Sequence, residues 1–188
     1  DIPVTPPHTV IANNSHVPLG TSVHDNATVG PKVDGFVIGG TVTYSFYIND
    51  ECAGDPIGTD TVSYPGESDS TGYLEYNGYS FKASYSGDSN YNPSTSKCEV
   101  FYVDKADTTI ETFIHSGLAA DTPPHEVIAN NSHVPLATIV HDNATVGPKV
   151  DGFTIGGTVS YSFWINDECL GLPVPIIDSK AVGLESDS

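Results

Sequence analysis

The chain has 188 residues, contains no Arg, Gln or Met, and carries 24 acidic side chains against 6 lysines, for a formal net charge of −18. Neutralising phosphate needs Lys or Arg, so this composition excludes nucleic acid and anionic lipid as partners; it would attract divalent cations such as Ca2+, although mutual repulsion that keeps the protein soluble explains the same charge more simply. No apolar run approaches the roughly 20 residues that cross a bilayer, so no membrane span is expected.

Period-two alternation broken by Gly, Pro, Asn and Asp predicts strands throughout, and helix-period spacing is absent. After a His- and Asn-rich stretch, PPHTVIANNSHVPLG, the first predicted strand runs from Leu19 to Gly30, with Val23, Asp25, Ala27 and Val29 on the inward face and His24, Asn26 and Thr28 outward. Gly40 to Asn49 follows, placing Val42, Tyr44, Phe46 and Ile48 in the core and Thr43, Ser45, Tyr47 and Asn49 opposite. Pro56–Tyr64, Tyr79–Gly87 and Cys98–Asp104 read the same way; in the second of these Tyr79, Phe81, Ala83 and Tyr85 face inward and Ser80, Lys82 and Ser84 face water. A linker, Val103–Thr109, leads into strand-like TTIETFIHSG, Thr108–Gly117.

The pattern then starts again. Thr122–Gly171 repeats Thr5–Gly54 with a period of 117 and 43 of 50 positions identical. The apolar face returns unchanged as Val159, Tyr161, Phe163 and Ile165, while the two substitutions in that strand, Thr43 to Ser160 and Tyr47 to Trp164, fall on the other face. About seven such strands predict an immunoglobulin-like β-sandwich, and the period predicts two in tandem, over residues 1–105 and 106–188. The second copy reaches ESDS, matching Glu67–Ser70, without a counterpart of the following 34 residues, Thr71–Asp104, so its last strands are expected to be missing. The first has nothing matching Thr108–Gly117 ahead of it. Starting at Asp1 rather than Met, the chain reads as a mature or excised piece of a longer one.

YSFKASYSGDSNYNPSTSKCEVFYVDKA (Tyr79–Ala106), VHDNATV (Val23–Val29), GGTVTYSFY (Gly39–Tyr47) and the spacing of Cys52 and Cys98 together resemble the group 3 type of bacterial and archaeal Ig-like repeat, found in tandem in large cell-surface proteins. The most specific part is the YSGD-x-NY ending followed by the KA linker. The resemblance implies a β-sandwich, export, and a role in a stalk, adhesin or surface layer. The PPHTVIANNSHVPLG stretch departs from the family pattern, and whatever is particular to this protein is expected there.

Cys52 corresponds to Cys169, and the position equivalent to Cys98 falls past Ser188, which accounts for the odd count of 3 cysteines. A Cys52–Cys98 disulfide and an oxidising, extracellular location are therefore expected, the alternative being two buried thiols. Glycosylation sequons stand at Asn13, Asn26, Asn130 and Asn143, in matched positions of the two copies. An inward Asp25, like its counterpart Asp142, needs a partner. It is either a structural hydrogen-bond acceptor, a Ca2+ ligand with Asp50 or Glu51, or the acid of an isopeptide crosslink, which an outward Lys82 disfavours. Six of the seven histidines recur with the repeat (His8, His16 and His24 match His125, His133 and His141), but without HxH or HExxH spacing they read as solvated or backbone-bonded.

No nucleophile elbow or comparable catalytic context occurs, so no catalytic residue is assigned. The expected function is that of a non-enzymatic extracellular structural repeat whose partners are neighbouring copies of itself or adjacent repeats of the same polypeptide. The alternative is a module that binds host or surface glycans or a protein through outward Tyr47 and Trp164.

Overall fold

In the computed structural model, which describes residues 8–118 and 125–181, the chain divides into two compact units, Asp1–Ala106 and Asp107–Ser188. The first residues of each repeat, 5–7 and 122–124, and the ESDS of the second copy, 185–188, lie outside the described residues. Among those described the structure is all-β and has no helix, hence none long and apolar enough to cross a membrane.

Unit 1 contains β1 (Ser15–Val17), β2 (Thr41–Tyr47), β3 (Gly58–Ser63), β4 (Asn77–Tyr85), β5 (Ser94–Thr95) and β6 (Glu99–Val103). They form one mixed sheet in the order β1-β6-β4-β2-β3, with β5 pairing the end of β4. All pairings are antiparallel except that of β1, which lies parallel to β6 with Ser15 opposite Phe101. The His- and Asn-rich stretch thus supplies an edge strand to this sheet.

Alternation places the core on one sheet face. Tyr79, Phe81, Ala83 and Tyr85 of β4 are all buried, as are Val42 and Tyr44 of β2 and Phe101 and Val103 of β6. Phe46, Tyr79, Phe81 and Phe101 stack in series with centroids 4.6–6.5 Å apart. Val23 and Leu74 close this cluster from the opposite side; Ala27 and Val29 pack against a second one around Val42, Tyr44 and Tyr85.

That opposite layer is less regular than the alternation of Leu19–Gly30 predicts. Its two segments, near residues 20–26 and 67–74, run antiparallel through Ser68 N–H to Asp25 O (2.9 Å), Thr71 N–H to Val23 O (2.7 Å) and Leu74 N–H to Thr21 O (3.2 Å). Of the return bonds, Gly20 N–H donates to Leu74 O (3.0 Å), but the next two go to side chains: Val23 N–H donates to Thr71 Oγ1 and Asp25 N–H to Ser68 Oγ. Hydroxyls replace carbonyls, so the strand ladder is reduced to an isolated bridge between Asn26 and Glu67. Tyr44 ties the layers together, its hydroxyl donating to Gly66 O (2.7 Å) and accepting from Ala27 N–H (2.9 Å).

The YSGD-x-NY sequence forms the turn after β4. Asp88 accepts three backbone N–H groups, from Gly39 (2.7 Å), Asn90 (2.7 Å) and Tyr91 (2.8 Å), which hold its carboxyl below the usual aspartate range. Gly87 adopts φ 77°, and a Cβ there would meet Tyr91 O at 2.8 Å and the Pro93 nitrogen at 2.9 Å. The turn therefore staples the start of β2 to the end of β4.

Unit 2 contains β7 (Thr109–Ser116), β8 (Val140–Gly147), β9 (Thr158–Phe163) and β10 (Val174–Ala181), paired antiparallel as β7-β8 and β9-β10. Residues 125–128 lie along the other edge of β7 through Ser116 N–H to Glu126 O and Ile128 N–H to Ile114 O. Leu19–Gly30 and its copy consequently differ: the copy forms a regular strand because β7 offers it a full backbone ladder. Among the described residues of unit 2 no hydrophobic side chain is buried, and Phe113, Phe163 and Ile165 are 47%, 48% and 84% exposed.

Candidate functional site

Cys52 and Cys98 form a disulfide that joins the loop after β2 to the start of β6. Asn49 shapes this loop by accepting Glu51 N–H and Ala53 N–H on Oδ1 while Nδ2 donates to Ala53 O; Asn166 repeats the arrangement with Glu168 and Leu170. The loop covers a sheet face expected to meet water. Ser80, opposite Tyr47 in the β2-β4 register, donates to Asn49 O (2.7 Å) and accepts from Cys52 N–H (3.3 Å).

As a result Ser80 and Tyr47 are buried, and the expectation that Tyr47 is an outward contact residue is corrected. Ile48, expected in the core, is 46% exposed where the strand gives way to this loop. Trp164, the counterpart of Tyr47, is half-buried and donates its indole N–H to Gly171 O at 3.1 Å, so it too serves its own loop. Cys169 is exposed and free.

The four sequon asparagines are all exposed. Asn13 accepts Val100 N–H through Oδ1 (2.7 Å), whereas Asn26 donates Nδ2, the nitrogen a glycan would occupy, to Glu67 Oε1 (2.7 Å). Asp25 is half-buried and accepts Asn26 N–H (2.8 Å). Burial first and the Glu99 charge second raise its pKa, against the Asn26 N–H and His24; burial likewise raises that of Asp142, which accepts Asn143 N–H. The Asp50 carboxylate accepts the Tyr102 hydroxyl (3.2 Å), and Glu51 lies on the exposed part of the disulfide loop. Asp25, Asp50 and Glu51 do not form one donor cluster among the described residues.

Metal-capable groups gather elsewhere. His8 Nδ1 lies 3.1 Å from His24 Nε2 with the rings edge-on at 75°, and His24 Nε2 lies 3.4 Å from Glu67 Oε2. In unit 2, His125 Nδ1 lies 3.0 Å from His141 Nε2 with the rings at 86°. His115 stands directly across the β7-β8 ladder from His141, its ring stacked at 5.4 Å. The sequence signal for these pairs was the matched spacing of 16 residues in both copies, together with the outward placement of His24.

A third feature is a groove along β6 lined by His16, Tyr76, Asn77, Tyr102 and Asp104. The His16 ring stacks on Tyr102 at 5.1 Å and its Nδ1–H donates to Asp104 Oδ1 at 2.7 Å, while Lys105 Nζ sits 4.8 Å over the Tyr76 ring. Tyr73 and Tyr76 are exposed and Tyr79 is buried, so these three neighbouring tyrosines divide between surface and core.

No protein-family model matches the chain, and no curated protein or solved structure matches it either.

Proposed function

We propose that the chain is a non-enzymatic extracellular structural repeat, part of a microbial surface stalk, adhesin or filament, built from tandem Ig-like sandwich units. The observation that carries this reading is the near-identical repeat, and in unit 1 the residues that carry the family resemblance hold strands together. Asp88, Gly87, Tyr44 and the Cys52–Cys98 link are all engaged in keeping the sheet and its covering layer in register. The order β6-β4-β2-β3 fits the G-F-C-C′ sheet of a variable-type Ig sandwich, with the bridge moved from its usual inter-sheet position to one end of a single sheet, between the loop after β2 and the start of β6.

Unit 2, with Phe163 exposed at the end of β9 and Ile165 just after it, fits a repeat completed by strands equivalent to β4 and β6, supplied by an adjacent repeat of the same polypeptide or by a neighbouring copy. The acidic surface keeps such an array soluble, and the disulfide suits an oxidising compartment. Immunogold labelling of intact cells of the source organism tests the reading. Label on extended surface structures, removed by external protease, is expected; label confined to the cell interior refutes it.

A second reading, adhesion to glycans or a protein surface, draws on the groove beside Tyr76 and Tyr102, where stacked rings and the Asp104 carboxylate suit a polar ligand with an apolar face. A glycan array with the wild-type chain and Tyr76→Ala separates the two.

A further inference from the structure

We propose that each repeat carries a binding site for a borderline divalent transition ion such as Zn2+, built on the pair His8–His24 in unit 1 and His125–His141 in unit 2. A tetrahedral ion with metal–nitrogen bonds of about 2.0–2.1 Å holds neighbouring ligand atoms about 3.3 Å apart. The paired nitrogens stand 3.1 and 3.0 Å apart, and Glu67 Oε2 stands 3.4 Å from His24 Nε2. In unit 1 the ligand atoms of His8, His24 and Glu67 all lie within 4.8 Å of one another, and the exposed His8 and Glu67 side chains are free to close the remaining distance.

One ligand in each unit has an outer partner that orients it. Gly117 O can only accept, so the 3.0 Å contact with His141 Nδ1 puts the ring hydrogen there and leaves Nε2 with its lone pair facing His125. In unit 1 the orienting group acts on the carboxylate: Asn26 Nδ2 holds Glu67 Oε1, leaving Oε2 turned to His24.

In unit 2 a third histidine stands beside the pair, but the ligand atoms of His115, His125 and His141 do not all fall within 4.8 Å of one another, so the site there rests on the His125–His141 pair. Across β7 and β8 His115 pairs with His141, and the antiparallel bridge between His115 and Val127 sets His125 on the same sheet face. His115 Nδ1 is buried without a hydrogen-bond partner, which ordinarily costs about 1–3 kcal/mol. Imidazole donors select Zn2+, Cu2+ or Ni2+ over Ca2+, whose ligands are oxygens. The site is thus distinct in chemistry from a Ca2+ site at Asp25, one of the three readings of that residue. Recurrence of the edge-on pair in both units favours a shared ligand over a chance hydrogen bond between rings.

Calorimetric titration of the untagged, chelator-stripped chain with Zn2+ in millimolar Ca2+ tests the proposal. Two ions per chain are expected, falling to one in His24→Ala and in His141→Ala and to none in the double variant. His8→Ala, at an exposed position, should also abolish the first site, and near-UV circular dichroism checks that each variant is folded. Asn26→Ala should keep both sites and weaken one by about 10- to 100-fold. Absence of saturable Zn2+ binding, binding that survives the double variant, or displacement by Ca2+ overturns the proposal.

Discussion

Removing the bridge between Cys52 and Cys98 tests how unit 1 is held together. The bridge spans 46 residues, and releasing a loop of that length restores to the unfolded chain an entropy worth about 4 kcal/mol at 25 °C. The loop's native hydrogen bonds, from Asn49 and through Ser80, need no sulfur, so a Cys52→Ala/Cys98→Ala variant should keep its fold while losing that constraint. For a unit of this size the loss lowers the melting temperature by roughly 20 °C.

The chain carries its own probes: 9 of its 10 tyrosines lie in unit 1, and its single tryptophan, Trp164, lies in unit 2. Near-UV circular dichroism of the tyrosines should follow the shift, with Trp164 fluorescence as the internal reference. A tyrosine transition that moves by less than about 5 °C, equivalent to about 1 kcal/mol, would refute the loop-closure argument.

Three further outcomes follow from unit 1. Tyr44→Phe leaves Gly66 O and Ala27 N–H without their shared hydroxyl and should cost about 1–3 kcal/mol in urea unfolding. Gly87→Ala should cost more than Gly35→Ala: both have φ near 80°, worth about 1–2 kcal/mol for a side chain, but only at Gly87 does a Cβ meet backbone atoms within 3 Å. The carboxyls of Asp88 and Asp25 should act oppositely in a stability-against-pH series. Asp88 has a lowered folded pKa, so its stabilisation is present above the ordinary aspartate value and lost as pH falls through the folded one. Asp88→Asn should therefore be less stable at neutral pH and show a shallower acid decline. Asp25 has a raised folded pKa, so its charged form destabilises above that value; Asp25→Asn should be more stable at neutral pH, with the gain vanishing below the ordinary range.

Strands with strict alternation were legible because their burial repeats every second residue. The predicted segments at 40–49, 56–64, 98–104 and 108–117 contain β2, β3, β6 and β7, the segment at 79–87 covers all but the first two residues of β4, and the inward set of β4 is buried as read. What escaped was set by distant partners. The three residues of β1 carry no alternation signal of their own and become a strand only by pairing with Phe101–Val103. Ser80 and Tyr47 are polar or amphipathic residues on an outward parity, buried because a disulfide draws a loop across them. The histidine pairs join residues 16 apart in sequence, and Glu67 joins the first of them across 43 more, through a bridge that hydroxyl side chains leave isolated.

The two copies provide a controlled comparison of one strand in two settings. Val42 and Tyr44 are 1% exposed, whereas their counterparts Val159 and Tyr161 are only half-buried and Phe163 is 48% exposed. The apolar face is identical, so its burial depends on what pairs beside it: β2 lies between β3 and β4, while β9 pairs only with β10 among the described residues. A β4–β6 segment should therefore dock on β9. Burying each large apolar side chain contributes about 1.5–3 kcal/mol, and ordering each backbone residue costs about 1–2 kcal/mol, so a free segment should bind only marginally. Chemistry can trap it, because Cys169 occupies the place of Cys52 and is exposed and free. A peptide spanning residues 77–103 carries Cys98, and in a glutathione redox buffer, oxidised glutathione accepting the two electrons, it should form a disulfide with Cys169. Mass spectrometry should find this adduct in excess over that of a scrambled peptide with one cysteine, accompanied by a change in Trp164 emission. Equal yields from the two peptides would mean that β9 does not recognise the β4–β6 sequence, and completion of unit 2 by these strands would have to be abandoned.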